Sequence, residues 1–233
     1  MQLLDSAKRP FAMKIALVGG TGDMGIGFAV RWAANHEIIM GSRKADRAIE
    51  SAATVLQMLD QKGNVWGTDN GNAICGADVV ALCVPYDYLS SVTGDLVGSY
   101  ASQVVVCPIV PMSYNGKLFE YRLPAEGSAA LQAKSLLPQR VRIVSAFHTI
   151  CAAALQDKEK ELRGDAFLCG DDPQALELVA GLAQEIKSLR PLKAGPLAAS
   201  SLVESLTPML LNVARKNKIK DAGISIVSER AEL

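Results

Sequence analysis

Histidine is scarce in this sequence: His36 and His148 are the only two among 233 residues, which excludes a histidine-rich metal site. Cysteine occurs five times, but Cys75, Cys83, Cys107, Cys151 and Cys169 never fall into a Cys-x-x-Cys spacing. Four of them sit in apolar runs. They read as buried thiols of a reducing cytoplasm, not as a zinc site or a disulfide framework. Neither sign of charge is in excess, with 24 basic against 24 acidic residues. That balance leaves no electrostatic footprint for nucleic acid and no polybasic arm for a membrane surface. No apolar run approaches the roughly 18–20 residues of a membrane span. The first dozen residues carry Lys8 and Arg9 without a long apolar core, so residues 1–12 read as an N-terminal extension, not as a secretory signal.

Glycine is placed to a purpose. An apolar strand, Ile15-Ala16-Leu17-Val18, runs into Gly20-x-Gly22-x-x-Gly25, and Phe28 to Ala33 continue as a helix. This context cradles a pyrophosphate: glycines allow a tight turn and close backbone approach, and the helix N-terminus offers free N–H groups and partial positive charge. At the end of the next strand a site for NAD usually carries a carboxylate for the ribose hydroxyls. Here the chain has Ser42-Arg43-Lys44, with Arg47 four residues after Arg43. A hydroxyl and cations bind a 2′-phosphate that a carboxylate would repel, so the pair of signals specifies NADP.

Strands and helices keep alternating. Strands are expected at 15–18, 37–41, 64–67, 78–84, 103–107 and 141–146, with helices at 44–61, 70–76, 86–97 and 128–137 and a polar loop at 113–127. The near-continuous apolar character of 78–84 suits a central parallel strand covered on both faces. The fold class is therefore α/β, a doubly wound parallel sheet. After about residue 147 the pattern changes to a strand at 166–169, a helix opened by Asp172-Pro173 and running to 187, a strand at 188–193 and a long helix at 197–217. Residues 13–146 are expected to form the nucleotide domain, and 147–233 a second, smaller α/β domain.

Ligands of an open parallel sheet bind beyond the carboxyl ends of its strands. Val84-Pro85-Tyr86, the run from Pro108 to Pro111, and Phe147 to Ile150 occupy those places. They hold no carboxylate pair, Ser-His-Asp set or Cys-His dyad for hydrolysis. Apolar, proline-stiffened walls suit a flat ring held for hydride transfer, where the cofactors supply the reactivity. Two roles stay open for His148, a hydrogen-bond partner to a ligand or a structural residue at a domain junction. His36 is expected to cap a helix end, and Tyr88 to pack. Pro208 either kinks the last helix, turning Ser205 and Thr207 towards a ligand, or opens a helix that starts at Thr207.

The segments GGTGDMGIG, MGSRKADR, CVPYDY, CPIVPMS, SAFHTICAA, LCGDD and LRPLKAGPLAASSLVESLTPMLLN follow one another at spacings that resemble the NADPH-dependent deazaflavin reductases. The resemblance runs from Met13 to about Ile226. It implies hydride exchange between NADP and the 5-deazaflavin coenzyme F420. A cytoplasmic homodimer is expected, although the apolar face of the last long helix fits packing within the chain as well as a dimer seam. It implies NADP phosphate contacts at Thr21, Gly22, Asp23 and Met24, and the 2′-phosphate on Ser42, Arg43 and Arg47. The nicotinamide would lie near Val84, Pro85 and Ala152, and Ala222 would close over NADP. The deazaflavin would lie against Pro108, Ile109, Val110, Pro111, His148, Thr149 and Ile150, reached by Ser205 and Thr207. His148 would position the ring and not serve as an obligate base. The chain departs from the family pattern in having Tyr86 for tryptophan, Cys151 for proline and Arg47 for lysine. Two other readings keep the same nucleotide module: reduction of a different acceptor (flavin, ferric chelate or imine), or NADP sensing without catalysis.

Overall fold

The computed structural model describes residues 13–228, so the extension expected at 1–12 lies outside the described residues. Strand β1 (Lys14–Val18) leads into helix α1 (Asp23–Trp32), β2 (Glu37–Ser42) into α2 (Ala45–Met58), and β3 (Asn64–Asp69) into α3 (Asn70–Cys75). Next come β4 (Val79–Leu82), α4 (Leu89–Thr93), β5 (Val104–Cys107), the strands β6 (Met112–Tyr114) and β7 (Phe119–Tyr121), α5 (Ala129–Leu136) and β8 (Arg142–Ser145). The last part holds α6 (Ala152–Leu155), β9 (Gly164–Gly170), α7 (Pro173–Gln184), β10 (Leu189–Gly195), α8 (Ser200–Glu204) and α9 (Leu206–Asn217).

Eight strands form one sheet in the order β10-β9-β8-β5-β4-β1-β2-β3. The pairings are parallel except for β8 with β9. The alternating side chains of β1 show why both sheet faces must be covered. Ile15 and Leu17 enter a core with Phe28, Trp32, Val55 and Val179 on one side. Ala16 and Val18 enter a second core with Ile74, Val92 and Ala130 on the other. This is the doubly wound sheet that the apolar strands predict. The segment after residue 146 does not leave that sheet, because β9 pairs with β8 through Val144↔Gly170 and Ser145↔Cys169.

Three stretches differ from expectation. The loop expected at 113–127 contains an antiparallel hairpin pairing Met112 with Tyr121 and Tyr114 with Phe119. Its turn is the four residues Asn115-Gly116-Lys117-Leu118: the Asn115 side chain accepts from the N–H groups of Lys117 and Leu118, and Gly116 has φ 91°. Asn-Gly between two short aromatic runs is itself a hairpin signal. The helix expected at 86–97 is instead a 3₁₀ turn (Tyr86–Tyr88), then α4, then a second 3₁₀ turn (Val97–Ser99). The long helix expected at 197–217 is a 3₁₀ turn (Leu197–Ala199), α8 and α9, interrupted at Ser205. Pro208 cannot donate to the Glu204 carbonyl, so it sits in the first turn of α9, where no such bond is needed. Residues 197–217 have the length to cross a bilayer, but they are broken here and bury Glu204 completely.

His36 also differs from its expected capping role. Its backbone N–H donates to Trp32 O at the end of α1, while its Nε2 meets Glu185 Oε1 at 2.9 Å beyond α7. Trp32 joins the same two helices more firmly. Fully buried, it stacks on Phe28 with centroids 4.4 Å apart, meets Phe147 edge-on, and donates from Nε1 to Leu182 O at 2.9 Å. Trp32→Ala should destabilise the fold by about 4 kcal/mol, and Trp32→Phe by less. Urea unfolding measures both, and equal losses would contradict a packing origin.

Candidate active site

The site begins where β1 ends. Gly19 has φ 72°, a conformation open to glycine. The Gly20 N–H donates to Leu17 O and lies equally close to Gly41 O, each at 2.9 Å, which ties the turn to β2. A Cβ on Gly25 would stand 2.4 Å from Gly20 Cα, so α1 can start this close to the strand only with glycine there. The N-cap of α1 is Gly22, and no side chain caps the helix. Its first N–H groups are left for something outside the helix.

A cavity of about 630 Å³ opens beside this end of α1, lined by Gly19, Thr21, Gly22, Ser42, Arg43, Lys44, Arg47, Asn70, Cys83, Val84, Pro85, Tyr88, Ser91 and Val92. Eight residues singled out from the sequence meet here: Thr21, Gly22, Ser42, Arg43, Lys44, Arg47, Val84 and Pro85. Among the described residues, no carboxylate forms an ion pair with Arg43, Lys44 or Arg47. Such a cluster of uncompensated cations beside an open helix N-terminus favours a ligand with several phosphate charges. Burial pushes the Cys83 thiol far up, so it stays protonated and takes no part as a thiolate.

Two residues of this cavity were not foreseen in these roles. Asn70, buried at the start of α3, accepts the Gly19 N–H on Oδ1 at 3.2 Å and so holds the turn. Tyr88, expected to pack, lies under Arg43, whose Cζ is 4.9 Å from the ring centroid. No spacing rule points to Asn70. The proximity of Tyr88 to Arg43 arises only when β4 and β2 lie on either side of β1.

The second group of predicted residues gathers at the ends of β5 and β8. Pro108, Ile109 and Pro111 are buried, and Val110 is half-buried. His148 is 4% exposed, with Nε2 3.4 Å from Ser145 Oγ, and its Nδ1 has no hydrogen-bond partner among the described residues. Burial lowers its pKa to about 4, opposed by the Cys107 backbone. The three hydroxyls expected to reach the deazaflavin are committed to carbonyls: Thr207 Oγ1 donates to His148 O at 2.7 Å, Thr149 Oγ1 to Asp165 O at 3.0 Å, and Ser205 Oγ to Leu202 O at 2.8 Å. Thr207 therefore fastens α9 to the loop carrying His148.

Glu204, which the sequence did not single out, organises this side. Its carboxylate is fully buried and accepts from Tyr121 Oη at 2.7 Å, Ala129 N at 3.0 Å and Ala130 N at 3.2 Å. It joins the hairpin, the start of α5 and the break before α9. Burial raises its pKa, and the three donors oppose that shift. Thr149 and Ile150 line a separate cavity of about 200 Å³, together with Cys151, Lys160, Asp221 and Ala222. Ala222 thus lies with the second group of residues and not with the cation cluster. Asp23, Met24 and Ala152 line neither cavity.

A glycine turn at the point where strand order reverses, with a phosphate-favouring cavity beside it, defines a Rossmann-type α/β oxidoreductase fold. Residues 14–111 match the family model described as NADP oxidoreductase, coenzyme F420-dependent. Over 221 residues the chain is 36% identical to the F420-dependent NADP reductase of Methanocaldococcus jannaschii, covering 93% of this chain and 99% of that protein. Against the F420-dependent NADP reductase of Methanothermobacter thermautotrophicus the identity is 35%, with 93% and 95% covered. The chain belongs to the F420-dependent NADP reductase family. Its fold matches a solved structure from Arthrobacter sp. FB24, provisionally named an F420-dependent NADP-reductase, at a TM-score of 0.79 and 20% identity, over 93% of this chain and 100% of that one.

The buried His148 generates a pH prediction. Above about pH 6.5 both folded and unfolded chains hold it neutral. As pH falls from 6.5 towards 4, the unfolded chain binds a proton that the folded one refuses. Stability should fall through that window by at most ~1.4 kcal/mol per pH unit from this group. Urea midpoints at pH 7 and pH 5 should therefore differ less for His148→Gln than for the parent. An undiminished difference would show that His148 is not buried neutral.

Proposed function

We propose that this protein passes a hydride between NADP(H) and coenzyme F420. The observation that carries the reading is the meeting of Ser42, Arg43, Lys44 and Arg47 with the uncapped start of α1 in one cavity, in a chain of this family. An NAD ribose calls for a carboxylate at the end of β2, whereas a 2′-phosphate calls for the hydroxyl and guanidinium groups present.

In this reading the N–H groups around Thr21, Gly22, Asp23 and Met24 hold the pyrophosphate, and Ser42, Arg43 and Arg47 hold the 2′-phosphate. Tyr88 holds the Arg43 guanidinium at the rim. Val84, Pro85 and Ala152 bound the nicotinamide, and Ala222 closes over NADP from the side of the smaller cavity. Pro108 to Pro111, His148, Thr149 and Ile150 bound the deazaflavin, with Ser205 and Thr207 at its edge. NADPH gives up a hydride, and oxidised deazaflavin takes up that hydride and a proton, leaving NADP and reduced deazaflavin; the reverse uses the same site. His148 is neutral at physiological pH, so it shapes the wall beside the deazaflavin and does not act as a cationic acid. The apolar walls exclude water from the exchange.

The cytoplasm is the compartment that suits five free cysteines. A homodimer would cover Leu202, Met209 and Val213, which are 71%, 48% and 44% exposed along α8 and α9. Sedimentation of Leu202→Arg/Met209→Arg against the parent tests this. A dimeric parent and a monomeric variant are expected; a monomeric parent would refute it.

Mixing the protein with NADPH and oxidised F420 should bleach the deazaflavin absorbance. A folded protein that reduces free flavin, ferric chelate or an imine while ignoring F420 would replace the acceptor. Binding without any reduction would leave a sensing module. Losing two charge-assisted contacts in Arg43→Ala/Arg47→Ala should raise the KM for NADP by about 100-fold. Turnover with NADH should stay as it was, and equal effects on both nucleotides would contradict the phosphate role.

A further inference from the structure

Arg31 lies near the far end of α1 from the glycine turn and is 7% exposed. Its guanidinium makes no ion pair among the described residues and is spent on backbone carbonyls. Nε donates to Leu155 O at 2.8 Å, Nη1 to Lys158 O at 3.3 Å, and Nη2 reaches Ala154 O at 3.0 Å, Asp157 O at 2.6 Å and Lys160 O at 2.9 Å. Burying a cation costs free energy unless its donors are satisfied. Here five carbonyls from the end of α6 and the following loop satisfy it, and a helix end is where carbonyls lack partners of their own. Burial lowers the Arg31 pKa, and the nearby charges of Asp157 and Glu159 oppose that.

The same segment is tied to the other end of α1. Gln156 Nε2 donates to Asp23 O at 3.3 Å and to Asp23 Oδ1 at 3.2 Å. A Cβ on Gly27 would stand 2.5 Å from Leu155 Cβ, so the two helices touch between these ties. Residues 152–160 and α1 are therefore one body. Upstream the segment begins at Ala152. Downstream, Lys160 pairs with Asp221, the neighbour of Ala222.

The geometry points to Arg31 as a positioning residue for the nicotinamide end of the site: by holding the carbonyls of 154–160 it sets where Ala152 and Ala222 stand relative to the glycine turn of the same helix. This rests on the assignment of those two alanines under the proposed function. Arg31 touches no ligand and acts through the backbone it holds. A lysine keeps the charge, but its single ammonium has three N–H groups and cannot address five carbonyls.

The experiment compares two probes, NADPH and 2′-phospho-ADP-ribose, which is NADP without its nicotinamide ring. For Arg31→Lys, the Kd of the ring-less probe should stay within twofold of the parent. The affinity advantage of NADPH over that probe should fall at least fivefold, and kcat with F420 at least tenfold per folded molecule. A merely structural role predicts a lower Tm with both affinities and the kcat of the folded fraction unchanged, or both ligands weakened alike; either result overturns the proposal. If Arg31→Lys does not fold, Gln156→Ala loosens the same segment at a more exposed contact. It should lower the NADPH advantage about threefold with the ring-less probe unaffected, and no change would sink the proposal. A parent that fails to reduce F420 while the two-probe difference still responds removes only the acceptor assignment.

Discussion

The site depends on where β1 sits. It is hydrogen-bonded to β2 on one side and to β4 on the other, so the chain leaves β1, builds outwards to β3, and crosses back. A crevice opens above the carboxyl end of β1 wherever the connections on its two sides diverge. Residues far apart in the sequence meet there: the Gly19–Gly22 turn, the cations after β2, and Val84-Pro85 after β4. The parallel pairing also forces both faces of β1 into cores, which explains why its residues are apolar without alternation. Any strand order that placed β1 at an edge would separate Ser42 from Val84.

Around this crevice the molecule uses buried charge to organise backbone. Glu204 accepts two N–H groups at the start of α5 and the Tyr121 hydroxyl, while Arg31 donates to carbonyls at and beyond the end of α6. The two arrangements are complementary in sign, an anion at a helix start and a cation at a helix end, as the helix dipole favours. Each replaces the water that a helix terminus would otherwise need. Such contacts are specific in direction, so they fix where loops stand in a way that apolar packing alone does not. One lies on the side of the predicted deazaflavin residues and the other against residues 154–160, which follow Ala152.

Much of this was legible in the residues. The glycine spacing, the hydroxyl and cations after the second strand, and the continuous apolar strands each reflect a local requirement, and the structure meets each of them. The hairpin was legible too, since Asn115-Gly116 is a turn signal, but a short two-stranded element is outweighed by polar neighbours in a pattern reading. The interruption at Ser205 was only half legible: Pro208 announces that a hydrogen bond is missing, without saying whether the chain kinks or restarts. Thr207 shows the limit most clearly. Its hydroxyl looked free for a ligand, yet the carbonyl of His148, 59 residues earlier in the chain, takes it.

By itself the sequence determined the class of fold and the kind of nucleotide, because turn geometry, helix polarity and phosphate charge act over a few bonds or one helical turn. Tertiary structure decided what those local signals touch: that Tyr88 lies under Arg43, that Asn70 holds the glycine turn, that His148 is stripped of water and stays neutral, and that Arg31 faces carbonyls and no carboxylate. Those outcomes depend on burial and on contacts between distant segments. Desolvation and through-space hydrogen bonding are properties of the packed molecule, and no window of neighbouring residues contains them.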